Sequence, residues 1–167
     1  MNLNKFSITY WIRKNQNPKW SDKESSINFN PMFLPNGILI ATRKIEKKYL
    51  IYLLSPELGN LKIETPVNDY LKDDFFVVIT RNENEIKLYF NAIFINLYKI
   101  SEIIIKDYKI DDYVMLKITN GDLDNFKTDL ETFMPAIIEN IYSNNYTFFL
   151  WQMNQRIVLN KNRILSK

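Results

Sequence analysis

The residues able to do chemistry fall into three groups along the chain. Asp122, Asp124 and Asp129 form one acidic cluster, and Glu64, Asp69, Asp73 and Asp74 form another. Arg43, Lys44, Lys47 and Lys48 are the densest run of positive charge. Closely spaced acids invite a calcium site, which in an EF-hand loop needs Gly at the sixth position and Glu at the twelfth. Counted from Asp122, those positions hold Lys127 and Phe133, so the pattern fails. The cluster reads instead as acids ahead of a helix, where they favour its positive end. Two carboxylates facing each other could also hydrolyse a glycosidic bond. The second group, however, surrounds a turn, and the E-x-D-x-x-E strand pattern of sandwich-type glucanases is absent. Those acids read as solvated loop residues.

The basic group has a different use. Near an anionic membrane each Lys or Arg contributes about 1 kcal/mol, so Arg43, Lys44, Lys47 and Lys48 are candidate contacts for an acidic lipid head group. The bland reading is an exposed turn, partly neutralised by Glu46. Arg156, Lys161, Arg163 and Lys167 repeat the signal more thinly. Trp20 lies in a polar loop and is the candidate partner contact, because an exposed Trp is an interface anchor. Trp11 and Trp151 carry the default reading of packing residues.

Absences exclude much of the rest. With no His and no Cys, the chain has no Ser-His-Asp or Cys-His mechanism, no disulfide, and no imidazole or thiolate metal site. Three glycines and neither G-x-x-x-x-G-K-[ST] nor G-x-G-x-x-G rule out the familiar phosphate loops. A net charge of +3 is small beside the concentrated positive face of a nucleic-acid module. No enzyme activity, cofactor, metal or nucleic-acid partner is therefore expected. No apolar run reaches the roughly 18–20 residues of a membrane-spanning helix. Met1 to Phe6 lacks the basic-then-apolar pattern of a signal peptide. The expectation is a soluble chain made in the cytoplasm.

These groups must be positioned by the elements around them. In Lys5 to Arg13, apolar Phe6, Ile8, Tyr10 and Ile12 alternate with Ser7, Thr9, Trp11 and Arg13, the period of a strand. Gly37–Thr42 and Tyr49–Leu54 flank the basic turn, and Leu61–Glu64 restarts a strand. Phe75–Arg81 and Glu85–Phe90 flank Asn82-Glu83-Asn84, the clearest hairpin signal. Further β-prone runs follow at Ile93–Tyr98, Glu102–Lys106 and Tyr113–Thr119. Short polar joints between them imply antiparallel pairing.

Leu130, Phe133, Met134, Ile137, Ile138, Ile141 and Tyr142 then recur at helical spacing, with Thr128 and Glu131 at capping-box spacing. The reading is a short opening turn and then a helix whose first turn contains Pro135 and which ends near Ser143, since a proline deeper inside costs about 3 kcal/mol. A last strand pair is expected at Tyr146–Met153 and Arg156–Leu159. The expected architecture is a single α+β domain, residues 1–167, with a curved antiparallel meander wrapped around a C-terminal helix.

Two resemblances bear on function. Phe6-Ser7-Ile8-Thr9-Tyr10-Trp11-Ile12-Arg13 and the hairpin Phe75–Asn91 resemble the opening strand and hairpin of laminin-G-like jelly rolls. Those folds place a glycine-bearing turn after the hairpin, where this chain has Asn91-Ala92. The second resemblance covers roughly residues 58–155. Leu61-Lys62-Ile63-Glu64-Thr65-Pro66-Val67, Glu85–Phe90, Leu116-Lys117-Ile118, Asp122-Leu123, Ile137, Ile138 and Asn140, and Phe148–Asn154 resemble, in order, the OrfX family encoded beside clostridial neurotoxins.

The OrfX resemblance implies a tubular lipid-binding-protein-like (TULIP-like) fold and a non-catalytic accessory role for a botulinum-type neurotoxin. It also implies a complex with a larger OrfX-family chain or self-association, an affinity for phosphoinositides or other acidic lipids, and release with the toxin complex. The jelly-roll resemblance implies a carbohydrate- or receptor-binding module, favoured by two sheets with no substantial helix at 128–143. A carboxylate-dependent glycosidase is third and needs two acids about 5–10 Å apart in a cleft.

Overall fold

The computed structural model describes residues 3–12, 31–45, 47–67, 74–124 and 132–166. They form two compact units, residues 1–53 with 61–104, and residues 54–60 with 105–167.

In the first unit, β1 (Lys5–Ile12), β6 (Phe75–Asn82), β7 (Glu85–Phe90) and β8 (Ile93–Lys99) make one sheet in the order β1-β6-β7-β8. Each neighbouring pair in that sheet is antiparallel. A second sheet runs β2-β3-β4-β5, from β2 (Met32–Phe33), β3 (Leu39–Ile45), β4 (Lys48–Ser55) and β5 (Gly59–Glu64). The period-two pattern of β1 survives intact: Ile8 and Tyr10 are buried while Ser7, Thr9 and Trp11 face solvent. Tyr49 on β4 meets Phe75 on β6 and Phe90 on β7, with ring centroids 5.1 and 6.1 Å apart. Phe75 and Phe90 stand edge to face at 5.0 Å. The Tyr10 hydroxyl shares a hydrogen bond with Thr42 at 3.0 Å, and burial pushes its pKa well up, so it stays protonated.

The second unit is a meander of β9 (Tyr113–Ile118), β10 (Thr132–Ile141), β11 (Asn145–Leu150) and β12 (Gln155–Asn160), in the order β12-β11-β10-β9. Val114, Leu116, Ile118, Met134, Ala136, Ile138, Phe148 and Leu150 pack on one face with Leu123 and Ile164. The chain closes on a 3-10 turn, Lys161–Arg163, whose Asn160 side chain caps the Asn162 amide.

The expected α+β, TULIP-like architecture is overturned. Residues 132–141, read as a helix, are a ten-residue strand paired on both sides. The only α-helix among the described residues is one turn, α1 (Ile100–Ile103), which takes the first two residues of the strand expected at Glu102–Lys106, where Ile104 keeps a single bridge to Leu61. The error has a plain cause. Met134, Ala136 and Ile138 face one side of the sheet, yet Ile137 opposite them is buried too. A strand buried on both faces reads as a continuous apolar run, which periodicity cannot separate from a helical stripe. Pro135 is tolerated because its carbonyl accepts from Trp151, just beyond the end of β11. Backbone N–H and C=O of one residue point the same way in an antiparallel strand, so the missing donor costs only the one bond to Trp151 beyond the end of β11 and leaves the pairing with β9 intact. Thr128, Leu130 and Glu131 lie outside the described residues.

The β7–β8 connection is a two-residue loop, since Phe90 pairs with Ile93. Asn91 and Ala92 both have positive φ, 50° and 66°, as a type I′ turn requires. Asn suits that region and Ala does not, at about 1–2 kcal/mol. Ala92→Gly removes the strain but adds about 0.4–1 kcal/mol of unfolded-chain entropy. The expected result is a net gain of about 0.5–1 kcal/mol, read as a higher urea midpoint. An unchanged or lower midpoint would show that Ala92 is unstrained.

Candidate functional site

The outward face of the β1-β6-β7-β8 sheet follows from strand register. Trp11 on β1 stands opposite Phe76 on β6. One row along, Thr9 faces Val78, Val78 faces Tyr89, and Tyr89 faces Phe94. The next row is polar: Ser7, Thr80 and Lys87, ending at Leu97. An apolar band therefore crosses all four strands, with hydroxyls and one ammonium group beside it. Its two ends are the most open, Trp11 at 50% and Phe94 at 53% exposure, while Phe76, Val78 and Tyr89 are half-buried. Trp11 and Phe76 have ring centroids 5.3 Å apart and tilted by 52°. Tyr89 and Phe94 meet edge to face at 5.7 Å and 65°.

A bulge in β8 builds the far end of the band. Leu88 pairs with Asn96, but Tyr89 pairs with Phe94, so Ile95 is skipped. Without that extra residue Ile95 would oppose Tyr89, and Phe94 would turn toward the buried Phe90 side. Bulges re-aim single side chains in this way. At the near end, the Asn91 side chain accepts from the Phe76 amide at 2.9 Å, and the Asn91 amide donates to the Phe76 carbonyl at 2.8 Å. The strained turn thus holds the strand that carries Phe76.

The residues singled out from sequence fare differently. Arg43, Lys44, Lys47 and Lys48 do share one hairpin, β3–β4. Lys48 pairs with Glu64 at 3.2 Å, and the Lys44 ammonium sits 5.9 Å from the Tyr49 ring centre. Trp20 lies outside the described residues, as do Asp69, Asp73 and Asp129. Asp122 precedes no described helix. It closes its own turn by accepting from the Thr119 amide and hydroxyl, and it receives a two-pronged contact from Arg163. Arg163 also donates to the Thr119 hydroxyl at 3.1 Å. Arg156 pairs with Glu139 at 3.1 Å and lies over the Phe149 ring, and Lys161 lies over Tyr108. These C-terminal cations are therefore engaged within the unit. No group of three acidic, His or Cys residues among the described residues is arranged to hold a metal ion. No described helix is long and apolar enough to cross a membrane, which says nothing of β-barrels.

No family model, curated protein or solved structure matches this chain. The site is therefore assigned from its own geometry.

Sequence reasoning took Trp11 for a packing residue and passed over Phe76, Tyr89 and Phe94. A signal was present in Phe75-Phe76-Val77-Val78-Ile79, which is apolar at both parities of a strand. Such a run belongs either to a strand buried on both faces or to one with an exposed apolar face.

Burial pushes the Asp122 carboxyl up, but the hydrogen bonds from Arg163 and Thr119 outweigh it and leave the pKa below its ordinary 3.8. A carboxylate held down in the folded chain adds stability above the ordinary value and loses it as pH falls through the depressed one. Asp122→Asn is expected to cost about 1–3 kcal/mol at pH 7. The gap from the parent protein should shrink as urea melts are taken below pH 4. A gap independent of pH would show that the charge contributes nothing.

Proposed function

We propose that the protein is a non-catalytic recognition module that engages its ligand across the outward face of the β1-β6-β7-β8 sheet. The observation that carries this reading is the band from Trp11 to Phe94, completed at one end by the β8 bulge. A half-exposed Trp and Phe on a rigid sheet supply contact area with little conformational entropy to lose. The strand at Thr132–Ile141, where a helix-filled sheet needs a helix, also favours a binding module built on sheets. Of the acids weighed for glycoside hydrolysis, Glu64 faces Lys48, and Asp122, weighed for calcium, faces Arg163. An OrfX-family chain or a second copy of this chain is the rival occupant of the same face.

Rings kept for binding should contribute little to folding. Trp11→Ala and Phe94→Ala together are expected to shift stability by no more than about 1 kcal/mol, in line with exposed positions. Circular dichroism melts would read this. A loss several times larger would mark the band as structural packing and remove the reading.

A second reading rests on the β3–β4 hairpin, along which four cations lie. Charge reversal of Lys44 and Lys47 tests it by co-sedimentation with phosphatidylserine vesicles. Binding that disappears in the variant, and at high salt, supports an acidic-lipid contact. Equal sedimentation of parent and variant removes it.

A further inference from the structure

We infer that Asn120 is a site of self-modification, converted by attack of the Gly121 amide nitrogen on its side chain, and that the conversion loosens the contact between Arg163 and the Thr119–Asp122 turn. The chemistry belongs to the Asn-Gly pair. The Gly121 nitrogen gives its proton to solvent base and bonds to the Asn120 Cγ. The Cγ–Nδ2 bond breaks, its nitrogen taking up a proton and leaving as ammonia, and a cyclic succinimide remains. Water then opens the ring on either side of the nitrogen. Cleavage at Cγ leaves aspartate, and cleavage at the main-chain carbonyl leaves isoaspartate, with the chain rerouted through Cγ. Water is the one co-reactant. A following glycine favours the attack because no side chain shields its nitrogen.

The chain holds two such pairs, Asn36-Gly37 and Asn120-Gly121, and the fold treats them differently. Gly37 and Gly121 both have positive φ, 85° and 94°, and both have open space where a side chain would start. Hydrogen bonding separates them. The Gly37 amide donates to the Leu34 carbonyl at 3.0 Å, and the half-buried Asn36 accepts from the Ile38 amide through Oδ1 at 3.2 Å. Attacking nitrogen and attacked side chain are thus both held, beside a fully buried Ile38. Asn120 and Gly121 are exposed, and among the described residues no hydrogen bond holds the Asn120 side chain or the Gly121 amide. The restraints of that turn lie on either side of the pair. The Asp122 amide donates to the Thr119 carbonyl at 3.2 Å, and Arg163 donates to the Thr119 hydroxyl and the Asp122 carboxylate. Isoaspartate inserts an extra main-chain carbon between those two residues, so they no longer meet Arg163 together. Arg163 leads into Ile164, buried and bridged to Leu116, and Leu165, whose amide donates to the Met115 carbonyl at 2.8 Å. A change in the exposed turn is therefore passed to the edge of β9.

The test ages the full chain in warm, mildly alkaline buffer, folded and in urea, and follows both Asn-Gly peptides by mass spectrometry with isoaspartate detection. Breaking two ordinary hydrogen bonds first slows a step by about tenfold or more, so in the folded chain Asn120 should convert about tenfold faster than Asn36. In urea the two rates should draw level. Equal rates in the folded chain overturn the inference. A preference for Asn120 that persists undiminished in urea also overturns it, by assigning the preference to neighbouring residues rather than to the fold. Asn120→Gln, whose longer side chain closes a ring far more slowly, tests the consequence. The aged parent should gain a fraction that melts at lower urea, and the aged variant should not. A converted fraction that melts with the fresh protein overturns the link to Arg163, as does an equal loss in the variant.

Discussion

The register of β6 between β1 and β7 decides what the first unit is made of and what it can bind. Phe75, Val77 and Ile79 point inward, and Phe75 meets Tyr49 and Phe90 there. Phe76 and Val78 point outward to Trp11 and Tyr89. Side chains alternate with period two, so a slip of one residue would exchange the two sets. Because β6 is apolar at both parities, burial alone defines its register poorly. The surrounding constraints do so: Tyr10 bonded to Thr42, the two-residue β7–β8 turn, and Asn91 bonded to Phe76. Core and candidate site are thus two readouts of one pairing.

The second unit depends on a polar residue instead. Asn60 is 4% exposed, and its side chain donates to the Leu165 carbonyl and accepts from the Met115 amide, both at 2.9 Å. Its own carbonyl accepts from Ile105. Gly59 before it has a φ of 80°, the left-handed conformation that lets the strand begin there. A buried amide satisfied on both ends specifies one arrangement, since losing it would strand a donor and an acceptor at about 1–3 kcal/mol each. With no cysteine in the chain, hydrogen bonding of this kind does the tying that a disulfide does elsewhere.

Local signals in the sequence were legible and long-range ones were not. The alternation in Lys5–Ile12 and the polar tripeptide after Arg81 marked β1 and the β6–β7 hairpin almost to the residue. Ile137 and Ile138 misled because burial on both faces erases the period that distinguishes a strand. The partners of Asn60 lie 55 and 105 residues away, beyond any spacing rule. Arg163, 41 residues from Asp122, turned an apparent acidic cluster into an ion pair in the same way. Of the candidate site, Trp11 had a readable parity. Phe94 did not, because the single skipped residue Ile95 inverts β8 without leaving a mark in composition.

That inversion is the strongest argument that the outward band is kept for use. Without the bulge Phe94 would stand opposite Phe90, in the row where Ile93 now lies. Instead the fold carries a bulge and a left-handed alanine that together leave the ring half exposed. Edge protection could explain a bulge on its own, since bulges and edge lysines discourage strand addition, and β8 carries Lys99. Edge protection does not require an aromatic ring on the open face, where it adds to the hazard that the bulge reduces. Two local features that each oppose stability meet at one row of side chains. Such convergence is expected where the chain trades stability for contact with something outside itself.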